Sequence, residues 1–149
     1  VLENCDTSIV IRTSALYSSF GHNFVKTMLR LGKERETLNV VFDQLSSPTY
    51  AADLAASVLK IVNNGFGKDE SGIYHFSNEG VCSWYDFAVA IMEMADLKCK
   101  VSPIESHEYP SPTPRPAYSI MNKAKIRNTF NIEIDHWQSG LKRCLALLK

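Results

Sequence analysis

The stretch Ser8-Ile9-Val10-Ile11-Arg12-Thr13-Ser14 (SIVIRTS, residues 8–14) decides how the rest of the chain is read. Its β-branched run lacks polar alternation, which is the pattern of a strand buried on both faces of a parallel sheet. The run stops at Arg12, Thr13 and Ser14. Polar residues at the carboxyl end of such a strand sit on the edge where open α/β sheets bind ligands. No hairpin partner precedes the run, and a buried parallel strand needs neighbours. The chain is therefore expected to start inside a larger α/β domain.

Alternating helical and strand patterns follow. Asn23 to Lys33 reads as a helix with Phe24, Met28 and Leu31 at helical spacing and Gly32 near its end, and Leu38 to Phe42 reads as a strand. Thr49 is the expected N-cap of an Ala- and Leu-rich helix from about Tyr50 to Val62, stopped by Asn64 and Gly65. Ile73 to Phe76 is a third strand. Ser83 and Asp86 form an acidic relative of the capping box ahead of a helix from Trp84 to Ala95, and Lys100 to Ile104 is a further strand. Pro110, Pro112, Pro114 and Pro116 force an extended loop that has few backbone donors. Only about thirty residues remain beyond it, too few for an independent core, so the loop is not a domain linker. Asp135 is expected to cap a last helix whose stripe, Trp137, Leu141, Cys144, Leu145 and Leu148, makes it a packing element.

Composition narrows the function classes. Sixteen basic and sixteen acidic side chains cancel, so no electrostatic footprint for nucleic acid or an anionic membrane stands out. No apolar run approaches the roughly 20 residues of a membrane span, and the opening residues VLENCDTS lack the regions of a signal peptide. Cys5, Cys82, Cys99 and Cys144 show no metal-ligand spacing, and reduced cysteines in a cytoplasmic protein are expected. His22, His75, His107 and His136 form no nucleophile motif or metal set. Trp84, Tyr85 and Phe87 read as the core and rim of their helix.

Two searches return nothing. None of Tyr17, Tyr50, Tyr74, Tyr85, Tyr109 and Tyr118 is followed four residues on by lysine, so no Tyr-x-x-x-Lys proton donor is present. No Gly-x-Gly-x-x-Gly phosphate loop is present either; Gly65-Phe66-Gly67 follows a helix and lacks the third glycine.

The remaining polar segments have a consistent order: Arg12-Thr13-Ser14, Asp43 to Asp53 (DQLSSPTYAAD), Gly72 to Asn78 (GIYHFSN) and Arg115 to Ser119 (RPAYS). Together they resemble the C-terminal half of a dTDP-4-dehydrorhamnose reductase, one of the extended short-chain dehydrogenase/reductases. The resemblance implies an α/β fold: the C-terminal part of an NAD(P)-binding Rossmann-like protein with a small mixed α/β substrate-binding domain. Residues of about 1–20 and 72–80 would supply the last strands and loops of the dinucleotide-binding domain. Residues of about 21–71 and 81–149 would supply the nucleotide-sugar-binding domain.

It further implies NADPH or NADH as cofactor, held mainly by an upstream half, with Thr13 and Ser14 at the nicotinamide. The partner is a dTDP-sugar, with no nucleic acid or membrane, and a homodimer of the parent is compatible with it. Substrate contacts fall to Ser14, Ala15, Tyr17, Asn23, Gln44, Ser47 and Arg115; Arg115 meets the diphosphate, for which a guanidinium is suited by bidentate geometry. The family pattern commonly runs Arg-Thr-Ser-Trp-x-Tyr, and here Ala15 stands at the tryptophan expected to stack on the sugar. Either another aromatic such as Tyr17 takes over, or sugar affinity and specificity differ. Gln44 serves either ligand or loop, Lys26 either phosphate or solvent, and Asp53 reads as structural. Since proton donor and phosphate loop are missing, the 149 residues alone are expected to lack reductase activity. A non-catalytic binding or regulatory relative is the alternative. A neighbouring epimerase or dehydratase is disfavoured by Arg-Pro-x-x-Ser and the Gln44–Asp53 segment.

Overall fold

The computed structural model describes residues 5–148 apart from 112 and 114. The expectations that rest on the first four residues and on Pro112 and Pro114 lie outside the described residues. The chain runs β1 (Ile9–Arg12), β2 (Leu16–Tyr17), α1 (Phe24–Glu34), β3 (Thr37–Val41), β4 (Leu45–Ser46), β5 (Thr49–Tyr50), α2 (Ala51–Asn64) and β6 (Gly72–His75). It continues through β7 (Cys82–Ser83), α3 (Trp84–Met94), β8 (Lys100–Ile104), a 3-10 turn (Ser106–Glu108), α4 (Ala124–Phe130) and α5 (Trp137–Ala146).

Two parallel ladders form the frame. β1 pairs with β6, Ile9 opposite Gly72 and Arg12 opposite His75, and β3 pairs with β8 from Thr37–Lys100 to Val41–Ile104. Two short ladders join them: β2 with β5 in parallel and β4 with β7 antiparallel. β1 is half-buried rather than covered on both faces, and β6 is its only paired neighbour among the described residues.

Each ladder has its own core. Around β3, the apolar stripes of α1, α3 and α5 bring Val25, Met28, Phe87, Ile91, Trp137, Leu141 and Cys144 together with Tyr17 and Tyr50. Phe87 stacks on Phe24 and meets the edge of Trp137, with ring centroids at 5.7 and 5.6 Å. Around β1 and β6, Ile61 of α2, Tyr74, Phe76, Ile126 of α4 and Ile132 form a second cluster, against which Ile9, Ile11 and Leu54 pack. All four cysteines are free thiols; burial pushes the Cys82 thiol up to about 12, and Asp86 adds to the shift.

Several local expectations are met and several are corrected. The α3 cap forms as read: the Ser83 hydroxyl accepts from Asp86 N–H at 3.0 Å and the Asp86 carboxylate accepts from Ser83 N–H at 2.9 Å. Gly65 ends α2 at φ 72°. Thr49, however, is not the N-cap of α2. It lies in β5, where its hydroxyl is spent on strand β1's end, and Tyr50 takes the cap position without a side-chain bond. Asp135 does not cap α5 either. Its carbonyl accepts from Glu79 N–H at 2.8 Å, and Trp137 N–H donates back to Glu79 O at 2.9 Å. This bridge starts the helix one residue later, with His136 Nδ1 accepting from Gln138 N–H. Gly32 lies near the end of α1 as read and is buried against the Met92 sulfur of α3. α4 and the two-residue strands have no counterpart in the sequence reading.

Candidate functional site

Segment 43–49 is the meeting point of the candidate residues. On one side it is zipped to the end of β1. Thr13 Oγ1 donates to Thr49 Oγ1 at 3.1 Å, and Thr49 Oγ1 donates to Ser14 O at 2.7 Å. Ser14 Oγ donates to Ser47 O at 3.1 Å, and Thr49 N–H donates to Ala15 O at 3.1 Å. Ala15 is held at φ 44°, a left-handed conformation unusual for a residue with a Cβ.

On the other side the segment receives the proline-rich loop. Leu45 N–H donates to Ala117 O at 2.8 Å, and both the N–H and the hydroxyl of Ser119 donate to Leu45 O, at 3.0 and 3.1 Å. The strand-like pairing of Leu45 with Tyr118 thus ties the end of the proline-rich loop, three residues beyond Arg115, to segment 43–49. Arg115 is exposed and has no ion pair among the described residues.

The start of the segment is tied to the 3-10 turn. Both Asp43 oxygens accept from Ser106 N–H, at 3.1 and 3.0 Å, and Ser106 Oγ donates to Asp43 Oδ1 at 2.7 Å. Gln44 Nε2 donates to the same Ser106 Oγ at 2.8 Å. The Ser106 hydroxyl and N–H hold the Asp43 carboxyl below the usual carboxylate range.

Four candidates have their polar groups engaged within the chain. Tyr17, read as a replacement aromatic for the sugar, is 2% exposed and stacked on Tyr50. Its hydroxyl donates to Trp137 O at 3.4 Å, and burial pushes its phenol well above the ordinary range. Asn23 caps α1: Oδ1 accepts from Lys26 N–H, and Nδ2 donates to Ser18 O and Phe20 O, which uses the whole amide. Lys26 donates to Ser19 O at 3.3 Å in the same turn. Ser47 is fully buried with its hydroxyl on Gly80 O at 2.7 Å, so it supports the wall rather than lining it.

Gly80 is the backstop of that wall. It sits at φ +87°, and an added Cβ would overlap the His136 ring and approach Trp137 Cδ1 to 2.9 Å. Gly80→Ala is expected to destabilise the protein by about 2 kcal/mol or more, from the left-handed backbone and the overlap together. A denaturant midpoint indistinguishable from wild type would contradict this.

Sequence reasoning missed the network behind the site. Asn78, fully buried, accepts from Tyr50 N–H at 2.8 Å and donates to Asp53 Oδ2 at 2.6 Å and Asp135 O at 3.1 Å. Arg143 of α5 closes it on Asp53 and Asp135 at 2.6 and 2.8 Å. Asp53 is structural, as read, but its partner lies 90 residues away and carries no local signal. Two hollows flank these elements. An open cleft of about 450 Å³ between α2 and residues 132–135 contains none of the candidates. A shallow apolar one of about 320 Å³, lined by Phe42, Ser83, Tyr85, Asp86 and Pro103, adjoins segment 43–49. No cluster of His, Cys, Asp and Glu among the described residues is arranged to hold a metal. No helix among them is long and apolar enough to cross a membrane.

A family model described as the RmlD substrate binding domain matches residues 1–149. The spore coat polysaccharide biosynthesis protein SpsK of Bacillus subtilis is 44% identical over 138 residues, which is 93% of this chain and 47% of SpsK. The dTDP-4-dehydrorhamnose reductase of Aggregatibacter actinomycetemcomitans is 41% identical, over 93% of this chain and 50% of its own length. A solved Bacillus anthracis dTDP-4-dehydrorhamnose reductase in complex with NADP is 43% identical. It superposes with a TM-score of 0.84 over 95% of this chain and 48% of its own. The chain spans about half the length of the curated relatives it matches.

Proposed function

Since this chain belongs to the RmlD substrate-binding-domain family, whose mixed α/β fold it shares with extended short-chain reductases, we propose that it is the nucleotide-sugar-binding half of a dTDP-4-dehydrorhamnose reductase. The proposed whole enzyme reduces the C4 carbonyl of dTDP-4-dehydro-L-rhamnose to the alcohol of dTDP-L-rhamnose, for polysaccharide synthesis in the cytoplasm. The observation that carries the reading is the double clamp on segment 43–49. Thr13 to Ala15 bond to one side of it and Ala117 to Ser119 to the other, so residues distant in sequence converge on one edge.

Within that site each remaining candidate has a role. Arg115 holds the diphosphate as a bidentate donor. Gln44 and Ser14 orient the nucleotide sugar. Ala15 leaves open the volume an aromatic would fill, and the burial of Tyr17 means that residue does not replace it.

NADPH or NADH, when bound, supplies the hydride. Arg12 and Thr13 are exposed at the carboxyl edge of the parallel β1–β6 pair, the kind of edge at which dinucleotide folds bind their cofactor. Thr13 Oγ1 spends its proton on Thr49 and keeps acceptor lone pairs, which suits an amide donor such as a carboxamide N–H. The fit supports Thr13 and Ser14 as the chain's contribution to the cofactor. The proton donor belongs to the upstream half in this reading, so the 149 residues alone turn nothing over.

The two cores support a two-part organisation. The division differs from the sequence expectation, which gave residues of about 21–71 and 81–149 to the sugar side. Helices α2 and α4 share a core with β1 and β6 and are proposed to go with the dinucleotide side, while the α1–α3–α5 core goes to the sugar side. Ile73, 37% exposed on β6, is suited to covering by that upstream half. A homodimer of the whole enzyme is part of the same proposal. A second reading, a non-catalytic binding relative, is favoured by one observation: Ala15 stands at the tryptophan position and Tyr17, the aromatic expected to take over, is buried.

The test follows NADPH absorbance in the full-length polypeptide on addition of dTDP-4-dehydrorhamnose. Turnover by the whole protein and none by residues 1–149 is expected. Binding of dTDP without turnover by the whole protein would select the second reading, and turnover by the 149 residues would refute the division of labour.

A further inference from the structure

Asp43, Ser106 and Gln44 form a chain of hydrogen bonds with a fixed direction. A serine hydroxyl has one proton to give. In this structure that proton goes to Asp43 Oδ1 at 2.7 Å, and the serine N–H reinforces the pair at 3.0 and 3.1 Å. The Ser106 oxygen is then left as an acceptor, and it accepts from Gln44 Nε2 at 2.8 Å. An amide that turns its NH2 toward Ser106 turns its carbonyl oxygen away. Gln44 Oε1 has no partner among the described residues.

We propose that Asp43 is a positioning residue that acts through Ser106 to fix the Gln44 side chain with its carbonyl oxygen as the acceptor for an N–H or O–H of the bound ligand. The proposal rests on the nucleotide-sugar reading above and deepens it by stating what the ligand must offer at this point. The carboxylate is suited to the task because, when ionised, it only accepts, so it forces the direction of the whole chain. Its bonds to Ser106 favour the ionised form, with the His107 side chain adding in the same sense. An asparagine at position 43 removes the constraint. Its NH2 can donate to Ser106 Oγ, the serine proton then passes to Gln44 Oε1, and the amide turns to present NH2 instead.

The donor can lie on the base, as the imide N–H of thymine, or on the sugar, as a hydroxyl. The test separates the two in the full-length protein. Dissociation constants are measured for dTDP, N3-methyl-dTDP and dTDP-L-rhamnose, with wild type, Asp43→Asn, Ser106→Ala and the double variant. NADPH affinity reports that each variant is folded.

If the donor is on the base, wild type prefers dTDP over its N3-methyl analogue by about tenfold, the worth of one good hydrogen bond. Asp43→Asn then reduces that ratio to near one. If the donor is on the sugar, the gain from dTDP to dTDP-L-rhamnose shrinks by about the same factor in Asp43→Asn. In either case Ser106→Ala reproduces the effect, and the double variant is no worse than the single ones, because all interrupt one chain. Should Asp43→Asn fail to bind NADPH, Ser106→Ala carries the comparison. The proposal is overturned if both variants keep the wild-type ratios within about twofold, or if their losses multiply. Wild type that binds none of the three ligands refutes the nucleotide-sugar reading itself, and this proposal with it.

Discussion

Asn78→Leu is expected to lower the unfolding free energy by about 3–5 kcal/mol, the largest effect of any single substitution considered. Asn78 is fully buried, and its amide has a partner for each of three bonds. Leucine fills a similar volume but leaves the Tyr50 N–H without its partner inside the fold, whereas Asp135 O keeps its bond from Glu79 N–H. It also removes a 2.6 Å bond to Asp53. A buried donor left alone loses roughly 1–3 kcal/mol and a lost hydrogen bond to a charged group about 1.5–3 kcal/mol, so the two together place the sum near a third of the stability of a typical domain.

The comparison with Arg143 decides between two accounts of that network. Arg143 makes ionic contacts at 2.6 and 2.8 Å, but its side chain is 44% exposed. Solvent screening reduces such pairs to about 1 kcal/mol or less. Arg143→Ala should therefore cost far less than Asn78→Leu in a denaturant titration. Equal losses would mean that the ion pair, not the amide, holds α2 to α5.

Arg115→Ala is expected to weaken dTDP binding by about tenfold to a hundredfold with no change in the denaturation midpoint. The size is that of a charge-assisted bidentate bond to a diphosphate. Stability is spared because Arg115 is exposed, with no ion pair among the described residues to lose. Arg115→Lys should recover only part of the affinity, since an ammonium brings the charge without the planar fork. Full recovery by lysine would reduce the role of Arg115 to general attraction. Undiminished binding by the alanine variant would remove it from the site.

What the sequence disclosed was periodic or local. Ile9–Arg12, Thr37–Val41, Gly72–His75 and Lys100–Ile104 announce themselves by β-branched and apolar runs, and the α3 cap by two residues three apart. α4 did not, because a seven-residue helix with one buried side chain, Ile126, shows no period. Nor did the two-residue strands, whose pairing is imposed by distant partners. Thr49 and Asp135 have the residue types of caps, and each was drawn away by a stronger tertiary bond: Thr49 to the end of β1, Asp135 to Glu79 and Arg143.

The candidate site divides the same way. Ser14, Ala15, Gln44 and Arg115 became candidates because their segments have a recognisable order. Tyr17 was misjudged because position in a motif says nothing about whether a phenol faces a pocket or a core. Asp43 stood in a quoted segment without a role, since its partner Ser106 lies 63 residues further on. Only the fold brings the two together.

The most direct test of the account is hydrogen exchange of the full-length protein with and without dTDP-L-rhamnose. The account predicts protection at residues 13–15, 43–47 and 115–119, the segment 43–49 and the two stretches hydrogen-bonded to it. Protection confined to α2 and residues 132–135, around the 450 Å³ cleft, would contradict it.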